Sequence, residues 1–309
     1  VGRHKTNYQI VGTETGRTST RILRPPMRPE PIGMGFQVIV KNQVIGGDVL
    51  EMFIPDPGYV YLEPDLSQAE ARIVDLLSED YDGLEEYETI DKHIKTARIV
   101  LGLGDDYQMT KKSPERFLGK KSRHAGGYDM GKREAMLNWN TDAKKYGIDF
   151  YCSEWKAGQY LERFHAAYPK IRQVFHKQIQ DALARNNKTL VNPFGRVRRF
   201  SARWGDQLFK EAYATIPQGT VGDVVKRAAL YYRSVVHSSA RIVMEKHDAL
   251  GCLVPVNEVE AHARVLRDGL EMPIDFSQCS LPRKTLIIPA EFEIGEKNFK
   301  KLVDYKIPS

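Results

Sequence analysis

The residues with chemistry to offer fall in three short segments. Asp65 ends a β-branched and aromatic run, Tyr59-Val60-Tyr61-Leu62, which is entered through the turn Asp56-Pro57-Gly58. The register then changes, and Ala69, Ile73, Leu76 and Leu77 fall at helical spacing. A carboxylate at such a strand-to-helix junction is rigidly held, which suits Mg²⁺ binding in phosphoryl transfer. It equally suits a plain capping role. Lys246-His247-Asp248 sets a second acid between the apolar runs Ile242-Val243-Met244 and Leu250-Gly251-Cys252-Leu253-Val254, which read as a β-hairpin with a polar tip at 245–249. Alone, His-Asp in a turn is an ordinary solvated turn. Together, Asp65 and Asp248 form a candidate pair for two metals roughly 3.5–4 Å apart.

The third segment is residues 116–128. Arg116, Lys120, His124 and Tyr128 recur every four residues, which places them on one slowly drifting helix face ~18 Å long. Two cations followed by two rings suit a nucleoside triphosphate, the cations meeting phosphates and the rings packing on sugar and base. A solvated basic face fits the same spacing. Gly119, Gly126 and Gly127 weigh against a helix built only for stability, since each costs up to ~1 kcal/mol relative to Ala.

The elements that must position these groups are legible in outline. Residues 85–185 read as mostly helical. Ser113-Pro114-Glu115 has the signature of a helix start, with Ser as cap and Pro in the first turn. A helix follows Ser153 with Trp155, Tyr160, Leu161 and Phe164 on its apolar side; Pro169 breaks it, and helix resumes around residues 171–183. Asn192-Pro193-Phe194-Gly195 is a turn, residues 24–35 a loop rich in Pro, Gly and Met, and the tail a helix near 257–270 with a strand near 285–294. The sum is an α+β fold, a small antiparallel sheet interrupted by a helical insertion.

Composition narrows the class. The chain of 309 residues is long enough for one large domain or two. No apolar run reaches the roughly 18 residues of a membrane helix, so no membrane partner is expected. Nothing reads as a signal peptide; the sequence opens at Val1-Gly2-Arg3 without Met, as a fragment or trimmed chain does. A net charge of +6 weakly favours a polyanionic partner. Cys152, Cys252 and Cys279 lie too far apart for a zinc motif or a disulfide framework and fit a reducing compartment.

In this order, the three segments resemble the polymerase motifs of family A, the bacterial polymerase I type. Asp65-Leu66-Ser67-Gln68-Ala69-Glu70-Ala71-Arg72 is similar to the first motif, residues 116–128 to the nucleotide-binding fingers helix, and His247-Asp248 to the catalytic hairpin. Lesser segments agree: Thr15-Gly16-Arg17; Asp91 to Ala97, with His93; Phe194-Gly195-Arg196; and Pro217-Gln218-Gly219-Thr220 with Asp223 and Lys226. The match runs from about residue 6 to 295. The resemblance implies a right-hand polymerase fold lacking its thumb: an antiparallel-sheet palm in two parts, residues 1–80 and 196–309, around helical fingers at 81–195. It implies a DNA-directed DNA polymerase that extends a primer 3′ end with deoxynucleotides, in a bacterial or phage-infected cytoplasm.

Residue by residue, the resemblance implies that Asp65, Asp248 and the Leu66 carbonyl hold two Mg²⁺ ions, for which Mn²⁺ can substitute. His93, Arg116 and Lys120 would bind phosphates, with Lys120 protonating the leaving pyrophosphate. Gln68, His124 and Tyr128 would complete the nucleotide site, and Glu70 beneath the sugar would exclude a 2′-hydroxyl. Arg17, Arg196, Gln218 and His247 would touch primer-template DNA. The thumb and exonuclease-type region would come from a separate polypeptide or from a longer chain. Departures from the pattern are His124 for Phe or Tyr, Ala125 for Gly, Asp129 for Gly and Ala249 for Glu; they fit a phage or mobile-element relative. Asp129 adds an acid near a triphosphate, which is unfavourable unless it points away. Two other readings compete. A single-subunit RNA polymerase-like enzyme is disfavoured by Glu70, and a silent nucleic-acid-binding subunit by the retention of Asp65, Asp248 and Lys120.

Overall fold

The computed structural model describes residues 6–21, 47–237, 239–279 and 281–308; the Pro-rich stretch at 24–35 lies outside them. The chain runs through β1 (Asn7–Gln9), β2 (Ser19–Arg21), β3 (Tyr59–Leu66), α1 (Ala69–Leu77), α2 (Tyr81–Glu85) and α3 (Lys92–Leu101). Then come α4 (Pro114–Gly127), α5 (Lys132–Tyr146), α6 (Glu154–Ala167), α7 (Lys177–Arg185) and the hairpin β4 (Thr189–Val191) and β5 (Val197–Arg199). The long α8 (Asp206–Val235) leads to β6 (Arg241–Glu245), β7 (Leu250–Pro255) and α9 (Val259–Leu270). The tail carries β8 (Ile274–Asp275), β9 (Thr285–Leu286), β10 (Ala290–Gly295) and β11 (Val303–Tyr305).

Five antiparallel strands in the order β11-β10-β3-β7-β6 form the platform of the site. The β-branched and aromatic residues of β3 make it a central strand, and side-chain alternation splits them between two faces. Val60, Leu62 and Leu66 join the main core with the helices, whereas Tyr61 packs with Leu50, Met244, Leu253 and Phe299 in a smaller cluster. The ladder from β3 to β7 runs from Tyr59/Pro255 to Leu62/Cys252 and resumes as one isolated bridge at Asp65/Ala249. Pro64, which has no N–H to give, falls in that gap.

The helices between β3 and β6 follow their capping chemistry. Asp91 caps α3 by accepting from the His93 and Ile94 amides (2.9 and 3.1 Å). At α4, Pro114 occupies the first turn as its fixed φ favours, but the Ser113 hydroxyl does not cap the helix; it accepts from the Thr110 amide at 2.9 Å instead. The apolar face of α6 is Ala157, Leu161 and Phe164, while Trp155, expected on that face, is 65% exposed. Trp155 sits in the first turn, beside Glu154 and Lys156, on the solvent side. After Pro169 the chain forms a wide π-type turn at Ile171–His176 before α7. Among the described residues no helix is long and apolar enough to cross a membrane.

Two glycines explain how α4 is seated. A Cβ on Gly119 would stand 2.0 Å from the His93 carbonyl oxygen, and one on Gly126 would stand 2.2 Å from the Phe164 ring. These residues let α4 lie hard against α3 and α6. At Gly127 a Cβ would meet only Val74, at 3.9 Å. Helix propensity alone favours Ala over Gly by ~1 kcal/mol at all three. Packing reverses the sign at two of them. Gly119→Ala and Gly126→Ala are each expected to lower unfolding free energy by roughly 1–3 kcal/mol in denaturant melts, whereas Gly127→Ala should be neutral or mildly stabilising. A stabilised Gly119→Ala protein would contradict this packing.

Candidate active site

The two acids meet because the backbone makes them meet. The tip of the β6–β7 hairpin closes through the Lys246 amide on the Ala249 carbonyl (2.8 Å), and the Leu66 amide donates to the Asp248 carbonyl (3.0 Å). Asp65 bridges Ala249 on the same strand pair, so Asp65 and Asp248 are one main-chain hydrogen bond removed from each other. Both line a single cleft of about 400 Å³. Protein around the cleft strips water from the Asp65 carboxylate, and the charges of Asp248 and then Glu63 add repulsion, against which Lys246 works; its pKa is pushed up to about 8. Asp65 is nonetheless open to solvent at the cleft floor. An entering cation would offset both the lost hydration and the crowding of like charge.

The opposite wall is α4 with the start of α3. Arg116, Lys120, His124 and Tyr128 all border the cleft, as does His93. Asp91 holds Arg116 at 2.8 Å while capping α3, so one carboxylate orients a cation and seats the helix bearing His93. Lys120 is exposed and has no ion-pair partner among the described residues. Burial, followed by Arg116 and Lys120, pushes the His93 imidazole down to about 3. His124 is exposed at the cleft mouth, yet the surrounding protein and then Lys121, Arg17 and Lys120 push it down to about 4. Both rings are neutral at physiological pH. His124 packs edge-on against Tyr128, with ring centroids 5.1 Å apart.

The junction between β3 and α1 supplies the third side. Gln68 takes a left-handed conformation (φ 50°), uncommon for a residue with a Cβ, to turn the strand into the helix. Its Oε1 is buried without a partner among the described residues, as is His93 Nδ1, and both residues border the cleft. Glu70 receives hydrogen bonds from Arg17 and from the Tyr128 hydroxyl. Gln218 in turn bonds Tyr128, whose phenol burial raises well above its usual pKa. Glu70 is thus a carboxylate clamped from two sides.

Three residues singled out in the sequence lie outside this cleft lining. Arg196, partly exposed, makes a two-point pair with Asp223, which Asn192 also bonds at 2.7 Å. His247 is exposed beside Arg17 and Asp248, outside the cleft lining, yet desolvation by the surrounding protein and then Arg17 lower its pKa. Asp129 does turn away: at φ 55° it points from the end of α4 to Arg172 (2.6 Å) and His165, bordering a second cavity. Glu291 was not foreseen. It lies opposite Asp65 on β10, accepts from the Ser67 hydroxyl at 2.8 Å and borders the cleft. Only the strand pairing brings it there, and no local pattern in the sequence announces a partner so distant.

A family model for DNA polymerase family A matches residues 1–298. The chain is similar to the DNA polymerase I of Chloroflexus aurantiacus, 25% identical over 277 residues that cover 87% of this chain and 26% of that protein. It is similar to the DNA polymerase I of Geobacillus stearothermophilus, 23% identical over 286 residues, 89% of this chain and 30% of that one. The chain therefore spans about a quarter to a third of the length of these relatives. Its fold matches the POL domain of Pol1 from M. smegmatis, solved in complex with DNA primer-template and dNTP, at a TM-score of 0.71 and 20% identity over 96% of this chain and 48% of that one. The length of the family match, together with the shared fold, establishes that the chain belongs to DNA polymerase family A.

Proposed function

We propose that this chain is the palm-and-fingers part of a template-directed DNA polymerase, taking deoxynucleoside triphosphates and primer-template DNA. The observation that carries the reading is the assembly of one cleft with Asp65 and Asp248 on one wall and Arg116, Lys120 and His93 on the other. Acids and cations facing across a gap suit a ligand that is itself a metal-bound polyphosphate. The shared sheet supports the division: β3 and the later strands β6, β7, β10 and β11 form the palm, residues 1–80 and 196–309, around fingers at 81–195.

The donor set fits Mg²⁺. Among the described residues no group of three or more His, Cys, Asp or Glu forms a closed metal cage. Mg²⁺ prefers few carboxylates plus substrate phosphates and water, and Asp65 with Asp248 and the Leu66 carbonyl would hold two such ions. Bound there, the ions would supply Lewis-acid activation of the primer hydroxyl and neutralise charge building on the phosphates. The chain's own groups do the rest. Arg116, oriented by Asp91, and Lys120 bind the triphosphate oxygens, and neutral His93 donates a hydrogen bond to them. Lys120, unpaired in the cleft, is placed to give a proton to the departing pyrophosphate. The polar atoms Gln68 Oε1 and His93 Nδ1, whose burial without partners costs about 1–3 kcal/mol each, gain partners from a bound nucleotide. Glu70, clamped by Arg17 and Tyr128, stands as a fixed wall against a 2′-hydroxyl, with His124 packed on Tyr128 beside it. Arg17, Gln218 and His247 lie next to this wall, where the primer terminus and its template partner would run.

Two outcomes test the reading. Asp65→Ala or Asp248→Ala should reduce single-nucleotide primer extension by ~10³-fold or more while changing primer-template affinity, read by anisotropy, less than threefold. Near-normal extension by either variant would overturn the metal assignment. Glu70→Ala should lower the ratio of deoxynucleotide to ribonucleotide incorporation by about 10²-fold, through faster ribonucleotide use rather than slower deoxynucleotide use. An unchanged ratio would remove Glu70 from sugar selection.

A further inference from the structure

Behind the cleft, α1 and α4 meet through a buried ion pair. Arg123 on α4 and Asp75 on α1 are 4% and 2% exposed, and the guanidinium Nη2 donates to the Asp75 carboxylate. The Tyr87 hydroxyl closes the unit: it donates to Asp75 Oδ2 at 3.0 Å and accepts from Arg123 Nε and Nη2 at 3.3 and 3.0 Å. Arg123 also lies over the Tyr168 ring at 5.2 Å, and Arg72 of α1 over the Tyr87 ring at 4.5 Å. Tyr87 is therefore tied to both helices.

The packing around this unit is uneven. Gly119 and Gly126 jam α4 against α3 and α6, so these three helices form one body. Toward α1 the approach is less close: a Cβ on Gly127 would meet Val74 only at ordinary contact distance, 3.9 Å. At its end α4 also reaches α1 through Tyr128 and Glu70, but those groups belong to the nucleotide site itself. Buried ion pairs stabilise little relative to apolar packing; their directional bonds fix how two surfaces register. A pair of this kind at the less close seam sets a position.

We infer that the Asp75–Arg123 pair, bridged by the Tyr87 hydroxyl, is the pin that fixes α4 against α1 and so sets the width of the gap between the phosphate-binding cations and the two acids. Asp75, Arg123 and Tyr87 are positioning residues in this account, and the inference rests on the proposed polymerase reading. Asp75 and Arg123 border the cleft, whereas Tyr87 does not. Tyr87→Phe, which removes one hydroxyl outside the cleft, is therefore the decisive variant, with Asp75→Asn as the stronger perturbation.

In steady-state primer extension by the full chain, Tyr87→Phe should raise the nucleotide KM at least fivefold and Asp75→Asn at least tenfold. In both, kcat and primer-template affinity should change less than threefold. The double variant Asp75→Asn/Arg123→Gln leaves no charge unpaired and should recover part of the loss. Spin labels at the exposed positions Leu137 on α5 and Leu230 on α8, in a Cys279→Ser background, should show a narrow distance distribution in the parent and a broadened or shifted one in Tyr87→Phe. A KM within twofold of the parent and an unmoved distance distribution, in variants that melt like the parent, would overturn the pin. A parent protein that extends no primer would sink the polymerase reading instead, and the distance measurement would still decide the pin.

Discussion

A single main-chain hydrogen bond, from the Leu66 amide to the Asp248 carbonyl, is the constraint on which the site depends. It locks the hairpin tip to the end of the central strand and leaves two carboxylates side by side in one cleft. The arrangement is unfavourable in itself, since the cleft strips water from Asp65, like charges crowd it, and together they drive it toward its protonated form. The sheet holds the acids there regardless, with Pro64 opening the ladder between β3 and β7 so that pairing can resume one step later at Asp65 and Ala249. A positive charge placed between the two acids would ease that conflict.

The facing wall is built by different physics. Its helix is seated by missing side chains: Gly119 and Gly126 bring α4 into backbone-close contact with α3 and α6, at the expense of helix propensity. Burial in this packing, and after it the cations crowded around them, keep His93 and His124 neutral. Among the described residues Lys120 on one wall and Asp65 and Asp248 on the other have no ion-pair partner, in complementary senses. A metal-bound triphosphate would answer both at once, which ties the electrostatics of the cleft to the reaction proposed for it.

Much of this was legible in the sequence where the signal is local. The four-residue period of Arg116, Lys120, His124 and Tyr128 does mark one face, and all four border the cleft. The strand before Asp65 and the hairpin around Asp248 follow from alternation and turn chemistry. What the sequence could not carry is pairing between distant residues. Glu291 reaches the cleft only because β10 lies beside β3, and Arg17 meets Glu70 across 53 residues. Aromatic character misplaced Trp155, which lies roughly 160° around α6 from the buried Ala157, at 100° per residue, and so faces solvent. Asp129 looked like a liability beside a triphosphate; a left-handed backbone turn sends it to Arg172 instead.

The most direct test of this account is the titration of Asp65 itself, followed by carboxyl NMR in the metal-free protein and in an Asp248→Asn variant. If the backbone forces the two acids together, Asp65 titrates clearly above the ordinary carboxylate range in the parent and its midpoint falls by at least about one unit when Asp248 loses its charge. An Asp65 that titrates in the ordinary carboxylate range, or whose midpoint ignores the substitution, would mean that the two acids do not share a site.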